Sequence, residues 1–436
     1  MNKEILRLAI PNILSNISVP LLSSVDTALM GQFSALHIGA VGVGSMIFNF
    51  IYWNFGFLRM GTTGITAQAY GKKSNSAILN TLGRALLISF VLAVLIMLLQ
   101  VPFAKVSFYL MNLSVLQYPL VADYFYIRIW AAPATLALYA FMGWFFGMQN
   151  AIYPLILTIA INVVNIICSF IFIKYLGMEV AGVAYGTLIA QYLGCILAIF
   201  LFLYRYRYLL VYWNFSKLLK KEELYSFLSI NRDILIRTFC LTFAFGFFYS
   251  QSSVGGETIL AVNVILLQFL NWMSYGVDGF AFASESLVGK YSGAANQFKL
   301  DQSVRLSFIW AMGLAAIYSL VYGIWGISLV GIFSSQQEVI TATLPFLFWM
   351  VVFPLLSTPC YIWDGIFIGL TASKAMRDTM ILSLIFYMAI HFLLKDQFGN
   401  HGLWLALLLF MVARGAIQWL VFRIRKLSRL SCIGEG

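Results

Sequence analysis

Asp26 is the only formally charged side chain between Arg7 and Arg59, set in the apolar run NILSNISVPLLSSVDTALM. A carboxyl in such surroundings has a narrow chemistry. Desolvation favours the protonated acid, whereas Na⁺ or an organic cation favours the carboxylate, so the group is a candidate ion-binding site. Two later segments offer it partners. Asn162, Asn165 and Ser169 recur at three- and four-residue intervals, which places them on one helical face, and Thr187 and Gln191 do the same in the next segment.

The elements that must position these groups are membrane helices. Apolar residues make up 61% of the 436 positions and charged ones 10%, with a mean hydropathy of +0.89, far from a soluble composition. The stretches 86–104, 180–204, 238–256, 258–277, 306–337 and 339–363 contain no Asp, Glu, Lys or Arg, and about 20 helical residues cross roughly 30 Å of hydrocarbon. Recurrent Gly, Ser and Thr inside the apolar runs point to close-packed helices rather than barrel strands. The expected fold is an all-α polytopic membrane protein of twelve spans, near residues 8–30, 40–68, 82–104, 122–146, 153–174, 180–204, 230–254, 257–284, 304–332, 340–368, 378–395 and 402–423.

Charge placement predicts orientation. Alternate connections collect Lys3 and Arg7, Lys72, Lys73 and Arg84, the run from Arg205 to Lys221, Lys290, Lys299 and Arg305, Lys374 and Arg377, and Arg423 to Arg429. The opposite side holds Lys105, Lys174 and Lys395, with Arg128 near one end of the fourth span. Both termini are therefore expected in the cytoplasm. This asymmetry accounts for most of the net charge of +11, so lipid headgroups rather than nucleic acid are the expected partners of these cations. The five cysteines, at 168, 195, 240, 360 and 432, have no ligand spacing and predict neither a zinc site nor a disulfide framework.

The two halves echo each other. GTTGITAQAYGKKS ends the second span and GFAFASESLVGKYSG the eighth; WFFGMQNAIYP follows the fourth and GIFIGLTASKAM the tenth. Both members of each pair face the same side, so the repeat is parallel, two bundles of six helices. The expected domains are an N-lobe over 1–210, a cytoplasmic linker over 211–229 and a C-lobe with a basic tail over 230–436. Such a frame suits alternating access. No P-loop GxxxxGK[ST] is present, so any energy input is expected from an ion gradient, and no cofactor is called for.

The chain also resembles a known family, the multidrug and toxic compound extrusion (MATE) transporters, in particular their DNA-damage-inducible-F-like bacterial branch. The resemblance runs from VDTALMGQF at 25–33 through FLRMGTTGITAQAYG, NRDILIRT, GFAFASESLVG and WDGIFIGLTASKAMR. It implies a V-shaped pair of six-helix bundles in the bacterial inner membrane, functional as a monomer and not an enzyme. The implied activity is secondary export of amphiphilic, often cationic, organic compounds in exchange for H⁺ or Na⁺. Asp26 matches the family's first-helix acidic residue, and Asn165, Ser169 and Thr187 match positions lining the same N-lobe network. Some members carry Asp where this chain has Ser169, a departure that removes a charge and favours protonation at Asp26, although Na⁺ held by Asp26, Asn165 and Thr187 stays open. A lipid or glycolipid flippase and a non-transport structural membrane protein are the alternatives.

The other polar groups divide among substrate contact, conformational bonding and anchoring. Asn162, Gln191 and Asp364 are candidates for the first two. Tyr52, Trp53, Tyr139 and Trp144 are candidate vestibule rings, suited to organic cations by cation–π attraction. Arg59 is expected to snorkel or pair across helices, Glu285 to sit interfacially with Lys290, and Asp233 to pair with Arg237 four residues on. Asp278 is read as C-lobe polarity and Arg414 as the partner of a nearby polar group. His37, His391 and His401 fall near external ends, where interfacial or loop roles are expected.

Overall fold

The computed structural model describes residues 1–30 and 33–424, apart from the side chains of residues 19–24, 26–28 and 215. With no water in hydrocarbon to satisfy peptide groups, a spanning chain closes its hydrogen bonds within helices. The helices are α1 (Asn2–Met30), α2 (Ala35–Phe55), α3 (Phe57–Gly71), α4 (Asn75–Leu98), α5 (Gln100–Leu110), α6 (Gln117–Arg128), α7 (Ala132–Gly147), α8 (Ile152–Lys174), α9 (Glu179–Tyr206), α10 (Phe215–Leu218), α11 (Lys221–Val254), α12 (Glu257–Gly293), α13 (Gln297–Phe333), α14 (Gln337–Thr343), α15 (Leu347–Gly369) and α16 (Ser373–Ile424). The described residues contain no strand.

Ten stretches among the described residues are long and apolar enough to cross a membrane. One of them, α16, would run about 78 Å if straight, more than twice the hydrocarbon thickness. It breaks at Gly399, whose φ of 51° and ψ of −128° are non-helical. With that division and with α1, the described helices make the twelve passes expected.

The chain packs as two compact units, Leu14–Leu228 and Met1–Ile13 with Ser229–Gly436. Residues 1–13 thus pack with the second half, not with the N-lobe as chain order suggested. The reason is local: Gly279 leaves room for Ala9 and Ile13, and Glu4 accepts from Lys290 Nζ at 3.0 Å and Tyr291 Oη at 2.7 Å. Burial works to raise the Glu4 carboxyl, but the Tyr291 hydrogen bond and the Lys290 ammonium outweigh it and hold it below its usual range. Within 14–228 the core centres on Trp144, which packs edge-on to Phe202 and Tyr206 and donates to Ile78 O at 2.9 Å.

The repeat is written in the backbone. Lys73 (φ 55°) matches Ala295 (φ 51°), and Gln149 (φ 61°) matches Thr371 (φ 52°). Each pair ends a helix in the same left-handed turn, closed by Ser74 N to Ala69 O, Asn296 N to Tyr291 O, Asn150 N to Phe145 O and Ala372 N to Phe367 O. Close helix contacts repeat as well. Gly143 and Gly147 lie on the backbone of Arg59 and Thr63, and Gly365 and Gly369 on that of Ala281 and Glu285. Small residues let these helices approach to backbone contact. Gly365→Val drives a side chain into the Ala281 carbonyl, which cannot yield, and is expected to cost about 1–3 kcal/mol. Thermal unfolding in detergent should show the loss, while Gly313→Val, with nothing within 4 Å of its Cβ, should not.

Candidate functional site

The site is built where α8 and α9 pack side by side. Asn165 is 1% exposed and Thr187 is buried; Asn165 Nδ2 donates to Thr187 Oγ1 at 2.9 Å, which in turn donates to Val183 O at 3.1 Å. This leaves Asn165 Oδ1 buried without a hydrogen bond, as is the Oγ of the fully buried Ser169 one turn away. Gly186 permits Ser169 to sit there, since a Cβ at 186 would lie on its hydroxyl and 2.9 Å from its backbone nitrogen. The arrangement offers two oxygen acceptors with no donor to accept from among the described residues, the chemistry that suits a cation or a carboxylic O–H.

The same helix carries α1. Ser15 Oγ donates to Thr158 Oγ1 at 2.8 Å, and Asn162 Nδ2 donates to Ser18 O and Ser18 Oγ, both at 3.2 Å. Asn162 therefore anchors one helix to another. Gln191 is half-buried on α9, one turn beyond Thr187, and takes no part in the Asn165–Thr187 bond. The Asp26 side chain lies outside the described residues.

Tyr52 and Tyr139 come together, but between cations: Arg128 acts on both rings and Arg59 on Tyr139. Arg128 also bonds Tyr124 Oη and lies 5.0 Å over the Phe48 ring, while Arg59 lies 5.9 Å over Phe146. Guanidiniums already occupy the electron-rich ring faces nearby, so this patch is poorly suited to a second cation. Trp144 is a core residue rather than a vestibule ring, and Trp53 is 60% exposed.

In the second unit the charged groups are arranged differently from expectation. Asp364 Oδ2 accepts from Arg237, and from Arg414 Nη2 at 2.7 Å; Gln418 Nε2 donates to Oδ1 at 2.8 Å. All four side chains are buried, and they tie α11, α15 and α16 together. Asp233 does not pair with Arg237. It accepts from Arg377 Nη1 at 2.7 Å and Ser373 Oγ at 3.2 Å, because packing brings the start of α16 against α11. Glu285 is 1% exposed rather than interfacial, and Lys290 is engaged by Glu4. His37 bonds Glu179 Oε2 at 2.9 Å and His401 accepts from Trp349 Nε1 at 3.1 Å, near helix ends as expected. His391 is instead buried.

The sequence marks Arg84 only as one of the cytoplasmic cations; it donates to Lys217 O at 2.6 Å and Leu218 O at 3.1 Å and pairs with Glu223, fastening the 211–229 connection to α4. Only a lone Arg inside an apolar run signalled it. Four cysteines are free and Cys432 lies outside the described residues. Among the described residues no group of three or more His, Cys, Asp or Glu side chains is placed to hold a metal ion.

The repeated helix turns and glycine contacts agree with a family model that matches twice: MatE covers residues 11–171 and again 235–395. The chain belongs to the MatE family. DNA damage-inducible protein F of Escherichia coli (strain K12) is 33% identical over 415 residues, covering 95% of this chain and 90% of that one. The probable multidrug resistance protein NorM of Photorhabdus laumondii is 21% identical, covering 98% of this chain and 97% of its own. A crystal structure of MATE in the bent conformation superposes with a TM-score of 0.88 at 19% identity, over 99% of this chain and 97% of that one. An outward-facing multidrug resistance MATE transporter of the MOP superfamily matches with a TM-score of 0.88 at 20% identity, over 97% and 95%. The protein is a secondary active transporter of MATE type with multiple membrane-spanning helices.

Proposed function

We propose that this MatE transporter exports amphiphilic organic compounds, cations among them, in exchange for H⁺ bound at Asp26, with Na⁺ as the competing ion. The observation that carries the reading is the pair of buried, unpartnered oxygens, Asn165 Oδ1 and Ser169 Oγ, on a helix that also carries α1. The Ser15–Thr158 and Ser18–Asn162 contacts run in step along both helices. Continued at equal rise, they bring position 26 level with Ser169, which supports a shared site for Asp26, Asn165, Ser169 and Thr187. Ser169 adds no charge, so the site has one carboxylate; a proton neutralises it completely, whereas Na⁺ would lean on Asn165 and Thr187 oxygens. Ion binding drives export only if it also changes the preferred conformation.

Asp364, held by two arginines, is read as a conformational tie between helices. Tyr52 and Tyr139 are read as contacts for the apolar part of a substrate, its cationic end lying away from Arg59 and Arg128. A relative named a probable multidrug resistance protein supports small organic cargo. The charge asymmetry supports cytoplasmic termini and lipid headgroups at the basic connections, and the internal repeat supports two lobes, 14–228 and 229–424 with 1–13.

The test is uptake of a fluorescent organic cation into proteoliposomes under independently imposed H⁺ and Na⁺ gradients. Flux against a gradient driven by H⁺ is expected; accumulation driven only by Na⁺ at constant pH overturns the proton preference. Ser169→Ala separates function from folding. It removes a buried hydroxyl that makes no hydrogen bond among the described residues, so stability should stay within about 1 kcal/mol of wild type or rise, while driven uptake falls. Unchanged uptake would remove Ser169 from the site.

A further inference from the structure

The same backbone landmarks that establish the repeat bracket a second buried polar pair. Gln149 and Thr371 begin, and Gly177 (φ 65°) and Gly399 (φ 51°) end, the corresponding helical stretches. Both pairs stand 222 residues apart (371 less 149, 399 less 177), so nothing is inserted between them. At that offset Asn165 corresponds to Tyr387 and Ser169 to His391. All four are buried, His391 at 3% exposure. Among the described residues Tyr387 Oη and both ring nitrogens of His391 have no hydrogen-bond partner, as is true of Asn165 Oδ1 and Ser169 Oγ.

An imidazole buried with neither nitrogen bonded is costly and calls for a reason. Its surroundings are aromatic. The Phe247 ring of α11 stands perpendicular at 4.9 Å and Phe392 edge-on at 5.5 Å; Tyr387 contacts Phe247 and, from beyond Gly399, Phe410. α11 presents Phe247, the far part of α16 presents Phe410, and the charged group acting on the ring is Lys395, one turn along its own helix. No carboxylate bonds it among the described residues. The start of the first repeat keeps the same offset, since α2 follows Ser34 and α12 follows Gly256. The counterpart of Asp26 is therefore Phe248, which is buried against Trp404 at 4.8 Å. The second unit has no carboxyl where the first carries Asp26, and it places a titratable ring at the counterpart of Ser169.

We infer that His391, with the Tyr387 hydroxyl beside it, is a second proton-binding site, the counterpart in the second unit of the Asp26 site. The inference rests on the proton-driven reading above. Enclosed by Phe247 and Phe392, the imidazole takes a proton when α11 and the two parts of α16 separate enough to admit water. Proton binding there favours the open arrangement of those helices, which is the differential affinity that coupling needs.

The test compares wild type, Asp26→Asn, His391→Gln and Tyr387→Phe in proteoliposomes, using ethidium uptake driven by an imposed pH gradient at a series of pH values. It adds ¹³C NMR of histidine-labelled protein, with His391→Gln assigning the signal. His391→Gln is expected to lower flux at least about fivefold and remove one limb of the pH profile, Tyr387→Phe to displace that limb, and the His391 signal to titrate between about pH 5 and 8. An intact profile in His391→Gln while Asp26→Asn loses its flux overturns this inference alone, as does a His391 signal silent across that range. Flux indifferent to pH gradients in wild type defeats the proton reading and this inference with it. Should His391→Gln fail to fold, His391→Phe, which keeps an aromatic ring among Phe247 and Phe392, carries the flux measurement.

Discussion

Asp364→Asn is expected to destabilise the protein by about 3–5 kcal/mol, the cost of removing one partner from a buried ion cluster. Asp364 Oδ2 receives both Arg237 and Arg414, and these arginines are 7% and 1% exposed. An amide would leave two guanidiniums facing each other across a dipole instead of a charge. Arg237→Met should be milder, because Asp364 and Arg414 then remain as a neutral pair with Gln418 still donating to Oδ1. Thermal unfolding of the detergent-solubilised variants, read by loss of the monodisperse species, gives the order. If Arg237→Met falls as far as Asp364→Asn, shape rather than charge balance dominates the cluster.

Asp26→Asn is expected to reduce ion-driven substrate flux by about 5–150-fold, the range of a coupling free energy of 1–3 kcal/mol. Asn is close to the protonated acid in shape but does not release a proton, so the variant should hold one state of the cycle and lose the exchange. Substrate binding in detergent, measured by fluorescence anisotropy, should survive better than transport. Stability should change little, because Asn matches the protonated acid in shape and in lack of charge. Full gradient-driven flux in this variant would sink the coupling assignment.

The membrane passes and the Asn165–Thr187 bond were legible in the sequence for different physical reasons. Spans are recognised from single segments, since hydrocarbon excludes charge residue by residue. Helical spacing put Asn165 and Thr187 each on a polar face of its own helix, and the family resemblance placed the two in one network. Asp233 and Arg237 show the limit. Four-residue spacing suggests an ion pair on an exposed helix, but Arg237 is buried, and it reaches a carboxylate 127 positions away. His391 was read by its place near the external end of a span, whereas packing against Phe247 encloses it.

Composition, charge asymmetry and the halves' shared motifs determined that this chain is a twelve-pass parallel repeat, the family resemblance marked it as MatE type, and Asp26 stands as the one acidic residue between Arg7 and Arg59. These properties are local or additive along the chain. The tertiary structure alone decided which buried groups are neutralised and which are left with unused hydrogen-bonding capacity. It pairs Asp364 with Arg237 and Arg414, Asp233 with Arg377, and leaves Asn165, Ser169, Tyr387 and His391 with unpartnered atoms. Partners of buried polar groups come from helices far apart in sequence, and the low dielectric makes each pairing large in energy, so no window of sequence contains the answer.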